Sequence, residues 1–327
     1  MNTPSAWFER CISNFLKQGR AGESFPRENR RSFRKWNSCL AGLGTLLLLV
    51  FSGSAPCAAI NVNLSTGNLS FSDGLGHSMP YRLYLPKGFD PSATYPLIMA
   101  LHGSGESGTD NSLPSTNGHF DPLFNAAQGT LGAQYKSILL VPQTQWGWED
   151  YGPQYPDYVG QTLAMGLLDK IISTYHVDTS RLYLTGLSMG GFGTFDTIAN
   201  HPNTFAAACP LSGGGDPADA GIIKNIPIWA FHGVADTTVP VADTDEMFDA
   251  IEAAGGYMEY TRVEGVGHGG WETFYDGSTY KNSKGQTLYQ WMFAQSLPVP
   301  EPSTFVLGLG GMGFGLIYLL RYKYYSR

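Results

Sequence analysis

Ser188 stands in the run RLYLTGLSMGGFGTFD, residues 181–196, with Gly186 two positions before it and Gly190 two positions after. A serine hydroxyl is a weak nucleophile until a neighbouring base takes its proton. Histidine is the commonest such base, and the chain offers His77, His102, His119, His176, His201, His232 and His268. A carboxylate would then orient the imidazole and stabilise its charged form. Glycine loses more backbone freedom on folding than any other residue. Four of them around one serine (Gly186, Gly190, Gly191 and Gly193) therefore signal a tight turn or a close approach of backbone. A G-x-S-x-G pattern between a strand and a helix lifts its serine on a sharp, strained turn. The alternative is a glycine-rich turn in which the serine only caps the helix.

The elements that must position these groups are legible as apolar runs. YPLIMALHG, SILLVPQ, RLYLTG, FAAACPLSGG, IPIWAFHG and MEYTRVEG read as strands, most of them apolar on both faces, as buried parallel strands are. INVNLS and YRLYLP read as shorter strands before them. VGQTLAMGLLDKIISTY, GGFGTFDTIANHP, ADTDEMFDAIEAAGG and GQTLYQWMFAQS read as helices, the second stopped by Pro202 and the third carrying an acidic first turn and a glycine exit. Strands alternating with helices predict an α/β domain with a mostly parallel central sheet and helices on both faces.

Ligand sites in such sheets gather at the carboxyl ends of the strands. His102-Gly103-Ser104-Gly105 follow one strand, Ser188 another, His232 and Asp236 a third, and His268 the last. His268, in the glycine loop GVGHGGW, is the expected base. His201 reads as a helix C-cap, and His232 as a packed residue at a strand end. Asp236 is the expected acid, with Asp216 and Asp219 as runners-up. The negative charge that develops on a carbonyl oxygen needs backbone N–H donors, and Met189 and Ser104 are placed to supply them. The loop QTQWGWEDYGPQYPDY carries Trp146, Trp148, Tyr151, Tyr155 and Tyr158. With Trp271 beside His268, it predicts an aromatic-rimmed cleft, the alternative being that these rings cap the core.

LHGSGESGTDN, VPQTQWGWED, YLTGLSMGGFGTFD, WAFHGVADTTVP and VGHGGW together resemble the α/β-hydrolases called predicted peptidases, which are akin to phospholipase/carboxylesterases, feruloyl esterases and polyhydroxybutyrate depolymerases. The resemblance covers about residues 80–295. It implies the α/β-hydrolase fold, with Ser188 as nucleophile, Asp236 as acid and His268 as base. The leading reading is a serine esterase; no H-E-x-x-H or Cys-His cluster points to a metal, and no G-x-x-x-x-G-K-S/T or dinucleotide fingerprint points to a cofactor. A peptidase with the same triad is the second reading, ranked lower because the length leaves no room for a separate peptide-selecting domain. A non-catalytic surface or matrix protein is the third.

The two ends read as targeting segments around a domain at 60–297. In residues 1–59, basic Arg30 to Lys35 precede an apolar run from Leu40 to Phe51 and small residues up to Ala59, the layout of an export signal. NRRSFRK also resembles a twin-arginine signal, with Asn29 and Arg34 departing from it. In residues 298–327, Pro300-Glu301-Pro302, the uncharged run Phe305 to Leu320 and basic Arg321, Lys323 and Arg327 resemble the PEP-CTERM sorting signal of Gram-negative bacteria. That resemblance implies a transient membrane helix, an exosortase-type processing enzyme and delivery to the periplasm, cell surface or matrix. Residues 60–297 hold 9 Lys and Arg against 23 Asp and Glu, a balance that disfavours nucleic acid as a partner. Cys11, Cys39 and Cys57 fall in or before the signal, and Cys209 in FAAACPLS reads as a small buried hydrophobe, so no disulfide is expected.

Overall fold

Apolar runs of five to seven residues bounded by turn formers are the right length for strands and too short for helices, and nearly all of those above become strands. The computed structural model describes residues 69–112, 118–150 and 159–298. The expected strand INVNLS, both terminal segments, and Tyr151, Tyr155 and Tyr158 lie outside these residues. The strands are β1 (Leu69–Ser72), β2 (Ser78–Tyr84), β3 (Tyr95–Leu101), β4 (Ile138–Pro142), β5 (Val177–Leu187), β6 (Ala207–Leu211), β7 (Ile228–Gly233) and β8 (Met258–Val263). The helices are α1 (Asp121–Ala127), α2 (Gly160–Thr174), α3 (Met189–Asn200), α4 (Ala220–Ile223), α5 (Val241–Ala253), α6 (Trp271–Phe274) and α7 (Leu288–Met292).

One sheet runs in the order β1-β2-β4-β3-β5-β6-β7-β8. Its β1–β2 and β2–β4 pairings are antiparallel, and every pairing from β4 across to β8 is parallel. Successive strand residues face opposite sides of a sheet. Ile98, Ala100, Leu139, Val141, Tyr183, Cys209, Trp229 and Phe231 form one core with side chains of α1, α6 and α7. The residues between them, such as Leu97, Met99, Leu140, Leu184 and Ala230, are fully buried as well, and α2, α3 and α5 pack on the sheet from that side. This is the α/β-hydrolase architecture, with helices on both faces.

Two expected elements differ in extent. β5 begins at Val177 rather than Arg181. The closing helix forms only over Leu288–Met292, because Gly285 sits in the left-handed region at φ 75° and the Thr287–Gln290 capping box sets the start two residues later. The short helices α1, α4 and α6 are not expected from the sequence, since four to seven residues carry too little periodicity to register.

The strand-to-helix turn after β5 decides where the serine goes. Leu101 at the end of β3 pairs with Gly186 of β5, and the chain reverses at Ser188 with φ 53° and ψ −117°. A residue with a Cβ adopts such angles only when its surroundings over-determine them. Here the Ser188 N–H donates to the Leu211 carbonyl of β6 at 2.9 Å, and the Ser188 carbonyl accepts from Gly191 and Phe192 at 2.8 and 3.1 Å. A Cβ on Gly190 would overlap the Leu101 carbonyl oxygen, and one on Gly186 would overlap the Gly190 carbonyl oxygen. Gly186, Gly190 and Gly191 are there because main chain occupies the space where side chains would begin, and Gly193 because the Trp148 side chain does.

Gly190→Ala is therefore expected to lower the thermal unfolding midpoint, at a cost of about 1–3 kcal/mol or more. Gly221→Ala serves as the control: its Cβ would meet nothing within 4 Å, so its effect should stay within about 0.5 kcal/mol. Equal midpoints for the two variants would contradict this account of the turn.

Candidate active site

The parallel sheet brings the loops after β5, β7 and β8 to one edge. Asp236 lies in the turn after β7, where its Oδ1 accepts the N–H groups of Thr238 and Val239, each at 2.9 Å. The next loop is tied to that turn by backbone bonds from Val234 to the Val263 carbonyl and from Ala235 to the Val266 carbonyl, both 2.9 Å. His268 follows. Its Nδ1 lies 2.7 Å from Asp236 Oδ2, and its Nε2 lies 2.9 Å from Ser188 Oγ. Ser188, His268 and Asp236 are thus brought into one hydrogen-bonded line. Asp216 instead caps its own turn by accepting the Ala218 N–H at 3.0 Å. His201 is the C-cap residue of α3.

Burial works to raise the Asp236 carboxyl. Hydrogen bonds from His232, His268 and the N–H groups of Val239 and Thr238 outweigh it and hold the group well below the ordinary 3.8. Asp236 is therefore an anion at any pH near neutrality, and it faces the nitrogen of His268 opposite the serine.

Met189 is the first residue of α3, where an N–H has no intrahelical acceptor. Ser104 opens a short 3₁₀ turn, Ser104–Glu106. That turn lies close to the serine, since a Cβ on Gly103 would stand 3.4 Å from Ser188 Cβ. His102 anchors the loop. Its Nδ1 donates to the Gly103 carbonyl at 2.6 Å, and its Nε2 accepts the Thr144 N–H at 3.0 Å. Burial pushes this imidazole down to about 4, so it is neutral. It pins the β3 loop to the β4 loop.

The aromatic residues divide. Trp146 is 48% exposed. Trp148 is only 2% exposed, and its Nε1–H donates to the His102 carbonyl at 2.9 Å. Its ring also fills the space beside Gly193 of α3, where a Cβ would press on it. The expectation that Trp148 rims the cleft is thereby overturned: the ring braces the serine loop from below. Trp271 does stand beside the base, edge-to-face with His268 at 5.2 Å, with its Nε1–H donating to Ser212 Oγ at 3.2 Å. It is 9% exposed, a wall more than a platform.

Two features escaped sequence reasoning. His119 meets Glu272 at 2.5 Å, lies 3.7 Å from Glu106, and stands edge-on to Trp271 at 4.8 Å. These side chains come from three distant segments, and nothing local marks them as neighbours. His232 packs as expected but also lies 3.4 Å from Asp236 Oδ2. The spacing of four residues in HGVAD was the available signal.

Comparison with known proteins places the chain among esterases. The family described as "Putative esterase" matches residues 72–263, more than half of the chain, and the chain belongs to that esterase family. The bifunctional acetylxylan esterase/xylanase of Neocallimastix patriciarum is 27% identical over 164 residues, 49% of this chain and 22% of that protein. This chain thus spans only a minor part of that relative's length. Feruloyl esterase D of Neurospora crassa is 25% identical over 249 residues, 71% of this chain and 81% of its own. The solved structure of a thermostable esterase is 33% identical with a TM-score of 0.58, covering 70% of this chain and 63% of that one.

Two outcomes follow from the site. Trp148→Ala should destabilise the protein by about 3–5 kcal/mol and depress turnover of aryl and short aliphatic esters alike. A KM effect confined to aryl esters, with unfolding unchanged, would restore the rim reading. Because the folded-state pKa of Asp236 is depressed, its ionisation contributes stability that is complete above the unfolded value near 4. That contribution is lost as pH falls further, through the folded value. Between pH 5 and 2 the wild type should therefore lose stability more steeply than Asp236→Asn, as read from denaturant midpoints; parallel curves would contradict the shift.

Proposed function

We propose that the chain is an exported serine carboxylesterase working through an acyl-enzyme, with Ser188 as nucleophile, His268 as proton shuttle and Asp236 as the acid that orients it. The observation that carries this reading is the unbroken line from Ser188 Oγ through His268 to Asp236 on a strained turn. Nδ1 of His268 donates to Asp236, which leaves Nε2 as the basic nitrogen facing the hydroxyl. Nε2 takes the proton as Ser188 Oγ attacks the ester carbonyl. The N–H groups of Met189 and Ser104 receive the oxyanion, where each donor is worth roughly 10²–10³ in rate. The imidazolium then protonates the departing alcohol. Water, deprotonated by the same nitrogen, attacks the acyl-serine and releases the acid.

For the substrate we favour esters joined to carbohydrate, with an acetyl or phenolic acyl group. The acetylxylan esterase and feruloyl esterase among the relatives support this, as does the exposed Trp146 as a ring for stacking. In this reading residues 60–297 are the catalytic domain. Residues 1–59 engage the export machinery, and residues 298–327 form a sorting tail handled by an exosortase-type enzyme at the Gram-negative cell envelope. No helix among the described residues is long and apolar enough to cross a membrane, and the tail lies outside them.

The test is hydrolysis of a graded panel by the purified protein and its Ser188→Ala variant: p-nitrophenyl acetate to laurate, methyl ferulate, acetylated xylan and a chromogenic prolyl peptide. The wild type is expected to cleave esters and leave the peptide intact. The variant should lose roughly 10³-fold or more in kcat. Ester cleavage that survives in the variant would remove Ser188 from its role, and preferential peptide cleavage would replace the esterase reading.

A further inference from the structure

Asp236 is approached by two imidazoles. His268 reaches Oδ2 at 2.7 Å, and Nε2 of His232, at the end of β7, lies 3.4 Å from the same oxygen. His232 is fully buried, and no step of the reaction above uses it. A buried imidazole needs a partner for each nitrogen. Nε2 faces the Val239 carbonyl oxygen at 3.0 Å and the Asp236 carboxylate. Both can only accept, so Nε2 carries a proton and donates. Nδ1 lies 2.7 Å from Thr244 Oγ1, and that hydroxyl is 2.5 Å from the Gly213 carbonyl oxygen. Gly213 in turn packs so closely on Gly191 that a Cβ between them would press on the Gly191 backbone. His232 is therefore held from α5 and from the serine turn while it holds the acid.

We propose that His232 is a positioning residue for the catalytic acid: its Nε2–H donates to the carboxylate oxygen that His268 uses, fixing Asp236 and limiting how strongly it draws the proton of His268. The inference rests on the esterase reading of this site. Two donors on one oxygen share its charge. The titratable groups facing Asp236 are His268, His232 and the Asp243 carboxyl in the first turn of α5, with Glu246 beside Asp243. His119, with Glu106 and Glu272, is the next cluster, one aromatic ring beyond His268 at Trp271. Among these, His232 is the one donor whose loss would leave Oδ2 to His268 alone. The Asp236–His268 bond would then strengthen and favour the protonated form of His268. The acid limb of the kcat/KM profile would move to higher pH.

Glutamine places an amide N–H near the position of a histidine Nε2, and asparagine near that of Nδ1, so the pair separates the bond to Asp236 from the bond to Thr244. His232→Asn is expected to raise the acid-limb midpoint by about half a pH unit or more and to lower kcat by about tenfold. His232→Gln should keep the wild-type limb. The proposal is overturned if the asparagine limb coincides with the wild type, or if both variants shift equally, which would mark a packing role for the ring. A readout without substitution covers the case in which a variant fails to fold. In ¹⁵N-histidine-labelled wild type, His232 Nε2 should show the shift of a protonated nitrogen throughout the titration of His268. A bare-nitrogen shift overturns the proposal whatever the activity. A protonated Nε2 whose N–H shows a through-bond coupling to the Asp236 carboxyl carbon, in a protein that cleaves no ester, supports the His232–Asp236 bond and sends the failure to the esterase reading.

Discussion

The close approach of main chain to main chain at the start of α3 sets the rest of the site. Three parallel strands end there: β3 at Leu101, β5 beside Gly186 and β6 at Leu211. The Leu101 and Leu211 carbonyl oxygens lie where side chains of Gly190 and Gly191 would have to be. Ser188 is forced into its positive-φ conformation because the helix has no other way off the sheet. The strain is balanced by the Leu211 carbonyl and by the first turn of α3, which take up the backbone groups on either side of it. Since every strand from β3 to β8 runs the same way, the loops after β7 and β8 open on the same edge. Asp236 and His268 arrive beside Ser188 by topology alone.

The electrostatics follow from burial more than from residue type. His102, His232 and His268 all lie at this edge of the sheet. His102 is sealed between two loops and stays neutral as a bridge. His232 is fully buried, with Nε2 3.0 Å from the Val239 carbonyl oxygen and 3.4 Å from Asp236 Oδ2. His268 alone keeps part of its ring in contact with solvent, at 18% exposure. It is also the one that reaches the serine. The surrounding domain carries a large surplus of carboxylates, yet the buried line contains one, and four donors converge on it. A single anion so constrained can orient the His268 imidazole without presenting loose negative charge at the edge of the sheet.

Much of this was legible in the sequence because the determining signals are local. Apolar runs of strand length, interrupted by glycine and proline, marked β2 to β8 and three of the longer helices. The glycine spacing around Ser188 marked the turn, and the order of strand ends pointed to Asp236 and His268. What stayed hidden depends on contacts between distant segments. Trp146 and Trp148 are two residues apart in one loop. The first is exposed, and the second is locked beneath the serine turn by His102 and Gly193. Composition cannot tell such rings apart, because the difference lies in which backbone carbonyl each indole can reach. The His119, Glu106 and Glu272 cluster was invisible for the same reason, and α6 was too short to show a period.

The stretch FHGVADTTVP occupies a middle position between local and distant encoding. His232 Nε2 lies 3.4 Å from one Asp236 oxygen, the Gly233 carbonyl accepts the Asp236 N–H, and the Thr238 and Val239 N–H groups bond the other oxygen. Val239 also offers its carbonyl to His232. Nearly every contact that fixes the acid thus comes from within eight consecutive residues, so this turn carries the carboxylate's environment with it. Ser188 and His268 have no such self-contained setting. Ser188 needs β3 and β6, and His268 needs Asp236 and Trp271. The acid is therefore the most locally specified member of the line, and changes inside this turn should be felt through its charge before they are felt through its position.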